Sequence, residues 1–181
     1  MIHLYSGDGK GKTSIAVGMS VRFAGAGGHV IFAQFMKGNE SSELNILRKL
    51  DNVKVLKVEK EFGFYNTMTE QDKSEITELH NEILEEIAEV IEQIKRDVKR
   101  DNTCPKNLIV LDEITYPCRW KLIDEAAFKD LLKDLPECVE VVMTGRDPHD
   151  YMIESSDYWS DVEMKRHPFE KGIAARRGVE F

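Results

Sequence analysis

Short apolar runs alternate along this chain with longer segments in which apolar residues recur at helical spacing. The apolar runs predict strands at residues 2–5, 29–35, 53–58, 108–111 and 139–143, and the periodic segments predict helices at residues 12–26, 42–50, 69–100, 124–133 and 150–155. Strands and helices in alternation are typical of βαβ units around a mostly parallel sheet. Because the strand segments are apolar throughout, we expect helices on both faces of the sheet. The pattern therefore predicts a three-layer α/β fold.

The segment 69–100 has the clearest periodicity in the chain. Its apolar residues are separated by 3, 4, 4, 3, 4 and 4 positions, which places them on one face of a helix: Ile76, Leu79, Ile83, Ile87, Val90, Ile94 and Val98. The first half of this helix is acidic and its end is basic, the polarity that the helix dipole favours. We interpret the apolar face as packed on the core and the charged face as solvated. A partner helix on the apolar face is the alternative.

Composition and charge limit the classes of protein that remain. The chain of 181 residues carries 25 Lys and Arg against 33 Asp and Glu, a net charge of −8. This length predicts a single domain over residues 1–181. Net acidity argues against general binding of nucleic acid, because phosphate backbones require a basic surface. The longest apolar stretch, near residues 30–36, is interrupted by Gln34 and is far shorter than the about 18 residues of a membrane span. We therefore expect no nucleic acid or membrane partner, and any phosphate site must be local.

The spacing of the cysteines helps to predict the cellular compartment of the protein. Cys104, Cys118 and Cys138 lie 14 and 20 residues apart and show no metal-binding spacing. We predict that they are reduced thiols in a cytoplasmic protein. The first residues run directly into a glycine-rich loop, so we also expect no signal peptide.

That loop, SGDGKGKT at residues 6–13, stands between the first predicted strand and the first predicted helix. This order predicts phosphate binding, because backbone N–H groups and the helix N-terminus point at the anion. The predicted nucleotide-binding residues are Gly7, Asp8, Gly9, Lys10, Gly11, Lys12 and Thr13. Lys12 is placed to reach phosphate oxygens, and the Thr13 hydroxyl is placed to bind Mg²⁺. Ser6 replaces the first glycine of the usual motif, and a glycine-rich turn without a ligand is the alternative.

A pair of carboxylates ends the predicted strand LIVLDE, residues 108–113. Nucleotide-binding sheets hold a metal beside the phosphates with carboxylates at such a strand end. We expect Asp112 or Glu113 to complete the Mg²⁺ shell with Thr13, directly or through water. Alone, such a pair is more often a helix cap or a surface turn. Together with the loop it predicts binding of a nucleoside triphosphate.

A third segment, VVMTGRDPHD at residues 141–150, brings Arg146 to the end of another strand, at the edge where α/β sheets bind ligands. Arg146 is therefore a candidate phosphate partner. An ordinary turn with a solvated Arg146 is the alternative.

The ordered set of motifs is similar to that of the P-loop ATP:corrinoid adenosyltransferases, and the resemblance covers most of the chain. It depends on GDGKGKT at residues 7–13, QFMKG at 34–38, VLDEIT at 110–115, TGRDP at 144–148 and the tail HPFEKGIAARRGVEF at 167–181. The loop and the acidic pair are common to P-loop proteins, whereas the ordered set and the tail are specific. The resemblance implies a RecA-like P-loop fold.

The resemblance also implies a reaction between ATP and a reduced corrinoid. In this reaction Co(I) attacks the 5′ carbon of ATP and displaces triphosphate. Co(I) needs no general base, so the protein aligns the substrates and stabilises the departing charge. The resemblance places the nucleotide on residues 7–13, Mg²⁺ or Mn²⁺ on Thr13 and Glu113, and a phosphate contact on Arg146, with Lys12 as a catalytic residue.

The corrinoid must be reduced from Co(II), and the family eases this step by packing aromatic side chains against the lower face. The resemblance implies that Phe64, in EFGFYN at residues 61–66, is such a residue. Some relatives have a tryptophan where this chain has Asn66, with Tyr65 adjacent. Without the resemblance, an inward-packed cluster of Phe62, Phe64 and Tyr65 is the favoured interpretation.

The remaining expectations concern the edges of the site and its partners. Relatives often carry an N-terminal extension that covers the corrinoid, so we expect a more open corrinoid pocket here or one completed by a second subunit. The resemblance implies a homodimer, and a flavoprotein reductant fits the family. The basic tail is either a solvated segment or a wall of the substrate site, and we do not assign His167 as a cobalt ligand.

Two other functions compete with adenosyl transfer. A P-loop ATPase or small-molecule kinase would use Glu113 to position water or an acceptor hydroxyl and would release ADP. A non-catalytic corrinoid delivery module would bind both ligands without forming a carbon–cobalt bond.

Overall fold

The computed structural model describes residues 1–38, 41–101 and 103–179, with the side chain of residue 169 excepted. The strands are β1 (Ile2–Ser6), β2 (His29–Gln34), β3 (Val53–Lys57), β4 (Asn107–Asp112), β5 (Val139–Thr144) and β6 (Tyr158–Asp161). The helices are α1 (Lys12–Gly25), α2 (Leu44–Leu47), α3 (Glu70–Asp101), α4 (Thr115–Trp120), α5 (Glu125–Leu131) and α6 (Asp150–Glu154). Short 3-10 turns lie at Tyr65–Thr67 and Pro168–Lys171.

The strands form one sheet in the order β3-β2-β4-β5-β1-β6, and each neighbouring pair is parallel. The predicted α/β architecture is therefore confirmed, with a sheet that is parallel throughout rather than mostly parallel. Because the strands are parallel, their carboxyl ends lie at one edge. The ends of β2, β4, β5 and β1 are adjacent there. The segments that follow these strands therefore lie together at this edge.

Both faces of the sheet are buried, as the unbroken apolar strands predicted. Along β4, Leu108 and Val110 pack into a cluster with Ala16 of α1, whereas Ile109 and Leu111 face the opposite cluster. That second cluster contains the apolar stripe of α3 together with residues of α5. Since successive side chains of a strand point to opposite faces, this division requires a helical layer on each side.

Helix α3 supplies the largest part of one layer. Its buried residues are Ile76, His80, Ile83, Leu84, Ile87, Ile91 and Ile94, while Leu79, Val90 and Val98 lie half-buried at the margins of the stripe. The apolar face packs on the sheet of the same chain, so the alternative of a partner helix is wrong. The helix begins with reciprocal caps: Thr69 N donates to Asp72 Oδ2 (2.9 Å) and Asp72 N donates to Thr69 Oγ1 (3.1 Å).

Two elements were not predicted from the sequence. Strand β6 is an edge strand of four exposed residues, YWSD, and it has no apolar run to signal it. Helix α4 is short and contains Pro117, and the residue that follows it, Lys121, has the left-handed conformation (φ 55°). Its local sequence has too few turns to show a helical period. The helix predicted at residues 42–50 is present only as Leu44–Leu47.

The prediction of three reduced thiols is wrong for one pair. Cys104 and Cys138 form a disulfide, with their Cα atoms 5.5 Å apart. They meet because β4 and β5 are neighbours, and Asn107 N donates to Cys138 O (2.8 Å) where the two strands begin. Cys118 is a free, buried thiol, and burial raises its pKa to about 12. Within the described ranges, the helices are all too short or too polar to cross a membrane.

Candidate active site

A cleft of about 920 Å³ lies at the carboxyl edge of the sheet. The loop after β1 forms one wall, and Glu113 after β4, Arg146 after β5 and Lys37 after β2 form others. The three sequence segments that predicted a phosphate site are therefore brought together by the order of the strands. Lys37 joins them without having been predicted.

The glycine-rich loop is held in place by its own lysine and by the chain after β6. The Lys12 ammonium donates to Gly7 O (2.7 Å) and Gly9 O (2.8 Å). Gly9 N donates to Val162 O (2.7 Å). A Cβ at Gly7 or Gly9 would collide with residues 161–163, so this packing requires glycine at both positions. Burial lowers the pKa of Lys12, with the positive charge of Arg146 acting in the same direction, while Glu113 opposes the shift.

The residue that replaces the usual first glycine ends β1. Ser6 is 2% exposed, and its hydroxyl accepts a hydrogen bond from Trp159 Nε1 (2.8 Å). Met164 N, further along the same segment, donates to Asp8 Oδ1 (2.9 Å) and lowers the pKa of that carboxyl. The loop is therefore anchored from the edge strand that the sequence did not reveal.

Asp112 is the centre of a buried hydrogen-bond network. Its side chain is fully buried, and Oδ1 accepts from Thr144 Oγ1 (2.7 Å). Oδ2 accepts from Lys37 Nζ (2.9 Å), Gln34 Nε2 (3.1 Å) and Thr13 Oγ1 (3.3 Å). A buried carboxylate needs such donors to remain charged. Asp112 consequently holds together side chains from the end of β2, the end of β5 and the start of α1.

Glu113 has a left-handed backbone conformation, with φ 63°, and its side chain therefore takes a different direction from that of Asp112. Its N–H donates to Thr144 Oγ1 (2.9 Å). Its Oε2 is buried and has no hydrogen-bond partner within the described part of the chain. Burial raises the pKa of this carboxyl, and the negative charge of Asp112 adds to the shift. A carboxylate that is desolvated beside another one and lines a cleft is suited to a cation.

Side chains with oxygen atoms suited to Mg²⁺ belong to this part of the site. The Thr13 hydroxyl donates to Asp112 Oδ2 (3.3 Å), and Glu113, whose Oε2 is buried and unpartnered among the described residues, lines the same cleft as Thr13. The ammonium of Lys37 supplies positive charge at this point, 2.7 Å from Thr13 Oγ1. The described residues contain no group of three or more His, Cys, Asp or Glu side chains that could hold a metal ion. A cation here would take few protein ligands, as Mg²⁺ does when it binds with phosphates.

The other predicted residues also border the cleft. Arg146 is exposed and lines it, as does Lys10 in the loop. Arg146 follows Gly145, where a Cβ would collide with the Thr115 side chain, so the turn lies close against α4. The tail returns to the loop, and His167, Gly178 and Val179 line the cleft. The tail thus forms part of the wall, while most of its basic side chains are exposed.

A second pocket, of about 270 Å³, adjoins the cleft and shares the walls Lys37, Gly38 and Glu61 with it. Phe62 and Phe64 line this pocket, and Phe64 is 85% exposed. The inward-packed alternative is therefore wrong for Phe64. It is right for Tyr65, which stacks on Trp120 with 4.5 Å between ring centroids.

Several residues of the site were not predicted from the sequence. Lys37 and Gln34 follow or end β2, Thr144 ends β5, and all of them reach Asp112. Their positions at strand ends indicated that they could lie near the site. That they share Asp112 as a partner could not be predicted, because it depends on which strands are neighbours. His80, which lines the second pocket, stands four residues after Ile76 on the apolar stripe of α3.

Comparison with known proteins shows which family this chain resembles. A family model described as ATP:corrinoid adenosyltransferase BtuR/CobO/CobP matches residues 1–181. A corrinoid adenosyltransferase of Sinorhizobium sp is 31% identical, over 100% of this chain and 80% of its own length. Those of Pseudomonas aeruginosa and Escherichia coli K12 are 30% and 26% identical, over 98% and 100% of this chain and 82% and 85% of their own lengths.

The solved structures that are similar to this chain provide evidence for its fold only. EssC (ATPases 2 and 3) of Geobacillus thermodenitrificans superposes with a TM-score of 0.54 at 13% identity, over 98% of this chain and 34% of that chain. The cytoplasmic domain of the Thermomonospora curvata Type VII secretion ATPase EccC gives 0.57 at 12% identity, over 97% and 22%. Both are parts of ATPases, and their similarity confirms the predicted α/β fold. With the full-length family match and these relatives, the chain belongs to the ATP:corrinoid adenosyltransferase family.

Proposed function

We propose that the cleft binds ATP on residues 7–13 and that Co(I) of a bound corrinoid displaces triphosphate from the 5′ carbon. Two electrons of Co(I) form the carbon–cobalt bond, and the electron pair of the C5′–O bond leaves with the triphosphate. Proton transfer is not required, so alignment and charge stabilisation are the tasks of the protein. The observation that carries the proposal is the convergence of Lys12, Lys37, Arg146 and Glu113 on one cleft.

Lys12 is the proposed catalytic residue for the leaving group. Its ammonium now contacts the carbonyl oxygens of Gly7 and Gly9, at 2.7 and 2.8 Å. Triphosphate oxygens would replace these carbonyls as acceptors, because they carry more charge. The loop N–H groups and the N-terminus of α1 add to the stabilisation. Lys10 and Arg146, which border the same cleft, are proposed as further phosphate contacts.

Mg²⁺ or Mn²⁺ is the proposed cofactor, held by Thr13, Asp112 and Glu113. When bound, the ion neutralises part of the triphosphate charge. Asp112 already accepts four hydrogen bonds and orients the Thr13 hydroxyl toward the same point. Glu113 offers the unpartnered oxygen. The donor set thus fits a hard cation that prefers oxygen.

Phe64 is the proposed residue for the lower face of the corrinoid. Its ring is 85% exposed at the mouth of the second pocket, which shares walls with the ATP cleft. A large exposed aromatic side chain is available to cover an apolar ligand. Packing there would exclude the axial base and make Co(II) easier to reduce. Tyr65 is held by Trp120, so Phe62 is the better candidate for the second packing residue.

The remaining proposals concern partners and location. A homodimer is supported by the edge strand β6, where Tyr158 and Trp159 are 53% and 55% exposed. We further propose a flavoprotein reductant and a cytoplasmic location.

The decisive experiment mixes the protein with Mg²⁺, ATP and chemically reduced corrinoid under anoxic conditions. We expect the spectrum of a light-sensitive alkylcorrinoid and release of triphosphate in equal amount. Release of ADP instead would identify an ATPase or kinase. Binding of both substrates without a carbon–cobalt bond would identify a delivery module, and either result would overturn the proposal.

A further inference from the structure

The pocket beside the ATP cleft contains a polar feature that the proposed mechanism does not use. Its walls are mainly apolar, with Met36, Met68 and Ile76 among them. Gln34 and His80 also line it, and each has one buried side-chain atom without a hydrogen-bond partner among the described residues. These atoms are Gln34 Oε1 and His80 Nε2. An unsatisfied buried polar atom is rare in a folded protein and calls for an explanation.

The orientation of the Gln34 amide follows from its partners. Its Nε2 donates to Asp112 Oδ2 (3.1 Å) and to Glu43 Oε1 (3.2 Å). Both partners are carboxylate oxygens, which only accept, so the nitrogen must face them. The amide oxygen is therefore the atom left over, and it is an acceptor.

The tautomer of His80 follows in the same way. Its Nδ1 lies 3.1 Å from the carbonyl oxygen of Leu122, which only accepts, so Nδ1 carries the proton. Burial lowers the pKa of His80 to about 4, and the ring is neutral at physiological pH. Its Nε2 is then a bare acceptor, directed away from Leu122.

A ligand for this pocket must therefore donate hydrogen bonds and carry no negative charge. A carboxylate would lose its hydration in this pocket and would face two acceptors, so no hydrogen bond would compensate for the free energy of desolvation. The cations at the rim do not change this, because Lys37 pairs with Asp112 (2.9 Å) and Lys60 with Glu75 (2.6 Å). A primary carboxamide presents two N–H groups, one for each acceptor.

We propose that this pocket is a subsite for a primary carboxamide side chain of the corrinoid, which donates to Gln34 Oε1 and His80 Nε2. The inference rests on the proposed function, since the pocket shares Lys37, Gly38 and Glu61 with the ATP cleft and has Phe64 at its mouth. A volume of about 270 Å³ accommodates one side chain and excludes the macrocycle. The protein consequently prefers a corrinoid that is amidated at this side chain over the corresponding free acid.

Binding without turnover tests the preference. Dissociation constants are measured by spectral titration for Co(II) cobinamide, whose side chains are amides, and for Co(II) cobyrinic acid, whose side chains are carboxylates. Mg²⁺ and a non-transferable ATP analogue are present throughout. The wild type should favour cobinamide, and His80→Phe should reduce the ratio of the two affinities by roughly ten-fold, because one buried acceptor is lost.

A matched control separates this effect from general changes in the pocket. Met68→Leu alters an apolar wall of the same pocket and should change both affinities by the same factor, leaving their ratio unaltered. The two probes also differ in net charge, and this difference affects the affinity ratio of every variant by the same factor. It therefore cancels when the ratios of two variants are compared. An unchanged ratio in His80→Phe would overturn the subsite.

A measurement on the wild type covers the case in which His80→Phe does not fold. The ¹⁵N resonance of His80 Nε2 should move toward the hydrogen-bonded range when cobinamide is added and should not do so with cobyrinic acid. The same response to both probes would overturn the inference and indicate water as the partner. Formation of alkylcorrinoid with Co(I) and ATP is assayed separately, so loss of the subsite and loss of the proposed function give different results.

Discussion

Lys37 forms an ion pair with Asp112, with 2.9 Å between Nζ and Oδ2, at the point where β2 and β4 end side by side. Asp112 is fully buried, whereas the Lys37 side chain is 27% exposed. The same ammonium lies 2.7 Å from Thr13 Oγ1. Lys37 thus supplies positive charge between the oxygens that we propose for Mg²⁺, and it is exposed enough to move toward a bound triphosphate.

Replacing Lys37 tests this relationship. Lys37→Met should lower the free energy of unfolding by about 3 kcal/mol, since it leaves the buried carboxylate of Asp112 without its charged partner. Mg²⁺ should stabilise the variant more than the wild type, because the ion can replace the missing charge. Urea unfolding with and without Mg²⁺ measures both effects.

The control for that experiment is an exposed ion pair. Lys133 and Asp130 are 68% and 73% exposed, so Lys133→Met should leave stability unchanged in either condition. Equal stability of Lys37→Met and the wild type would contradict the assigned function of the Lys37–Asp112 pair.

Lys12→Ala should lower the rate of triphosphate release by at least about 100-fold, because it removes a charged donor aimed at the leaving group. Lys10→Ala, in the same loop but exposed, should have a much smaller effect. Single-turnover assays with pre-reduced corrinoid measure the chemical step directly. A near-normal rate in Lys12→Ala would mean that the triphosphate leaves elsewhere.

Phe64→Ala should slow the reaction that starts from Co(II) more than the reaction that starts from pre-reduced Co(I). The reason is that the exposed ring acts on the reduction by covering the lower face of the corrinoid. Ile46, also exposed at 58% and lining neither cavity, provides the control Ile46→Ala, which should alter neither reaction. Equal slowing of the two reactions by Phe64→Ala would assign the ring a structural function only.

His80 makes stability depend on pH. Its pKa is lowered by burial from 6.5 to about 4, so the unfolded chain binds the proton first as the pH falls. Above pH 6.5 both states are neutral and stability is not reduced; as the pH falls from 6.5 toward 4, stability is lost, and the loss reaches about 3 kcal/mol at pH 4. The difference in unfolding free energy between wild type and His80→Phe, followed from pH 8 to pH 4, should fall by this amount. A constant difference would show that the histidine is not buried as a neutral ring.

The Cys104–Cys138 disulfide should contribute to stability without affecting the active site. Its residues are 34 positions apart, a loop for which cross-linking stabilises by about 3 to 4 kcal/mol. Cys104→Ser should lose this amount, whereas its affinity for an ATP analogue should be retained, because the pair lies where β4 and β5 begin, opposite the cleft. Dithiothreitol should destabilise the wild type and leave the variant unchanged. No response of the wild type to the reductant would argue that the thiols are not joined.

Much of the site could be predicted because its parts are local in sequence. The loop at residues 6–13 follows a strand and precedes a helix, and this context determines its conformation. The acidic pair after β4 is recognised by the apolar strand before it. The network around Asp112 could not be predicted, because Lys37, Gln34 and Thr144 are 75, 78 and 32 residues away from it.

From the sequence alone one could predict the alternation of strands and helices, the glycine-rich loop between β1 and α1, and the apolar face of α3. These features follow from periodicity and backbone geometry over a few residues. The tertiary structure alone decided that β4 stands between β2 and β5, which joins Lys37 to Asp112 and Cys104 to Cys138. It also decided that Gln34 and His80 line one pocket. Such pairings depend on the order of strands in the sheet, and that order is set by packing across the whole chain rather than by any one segment.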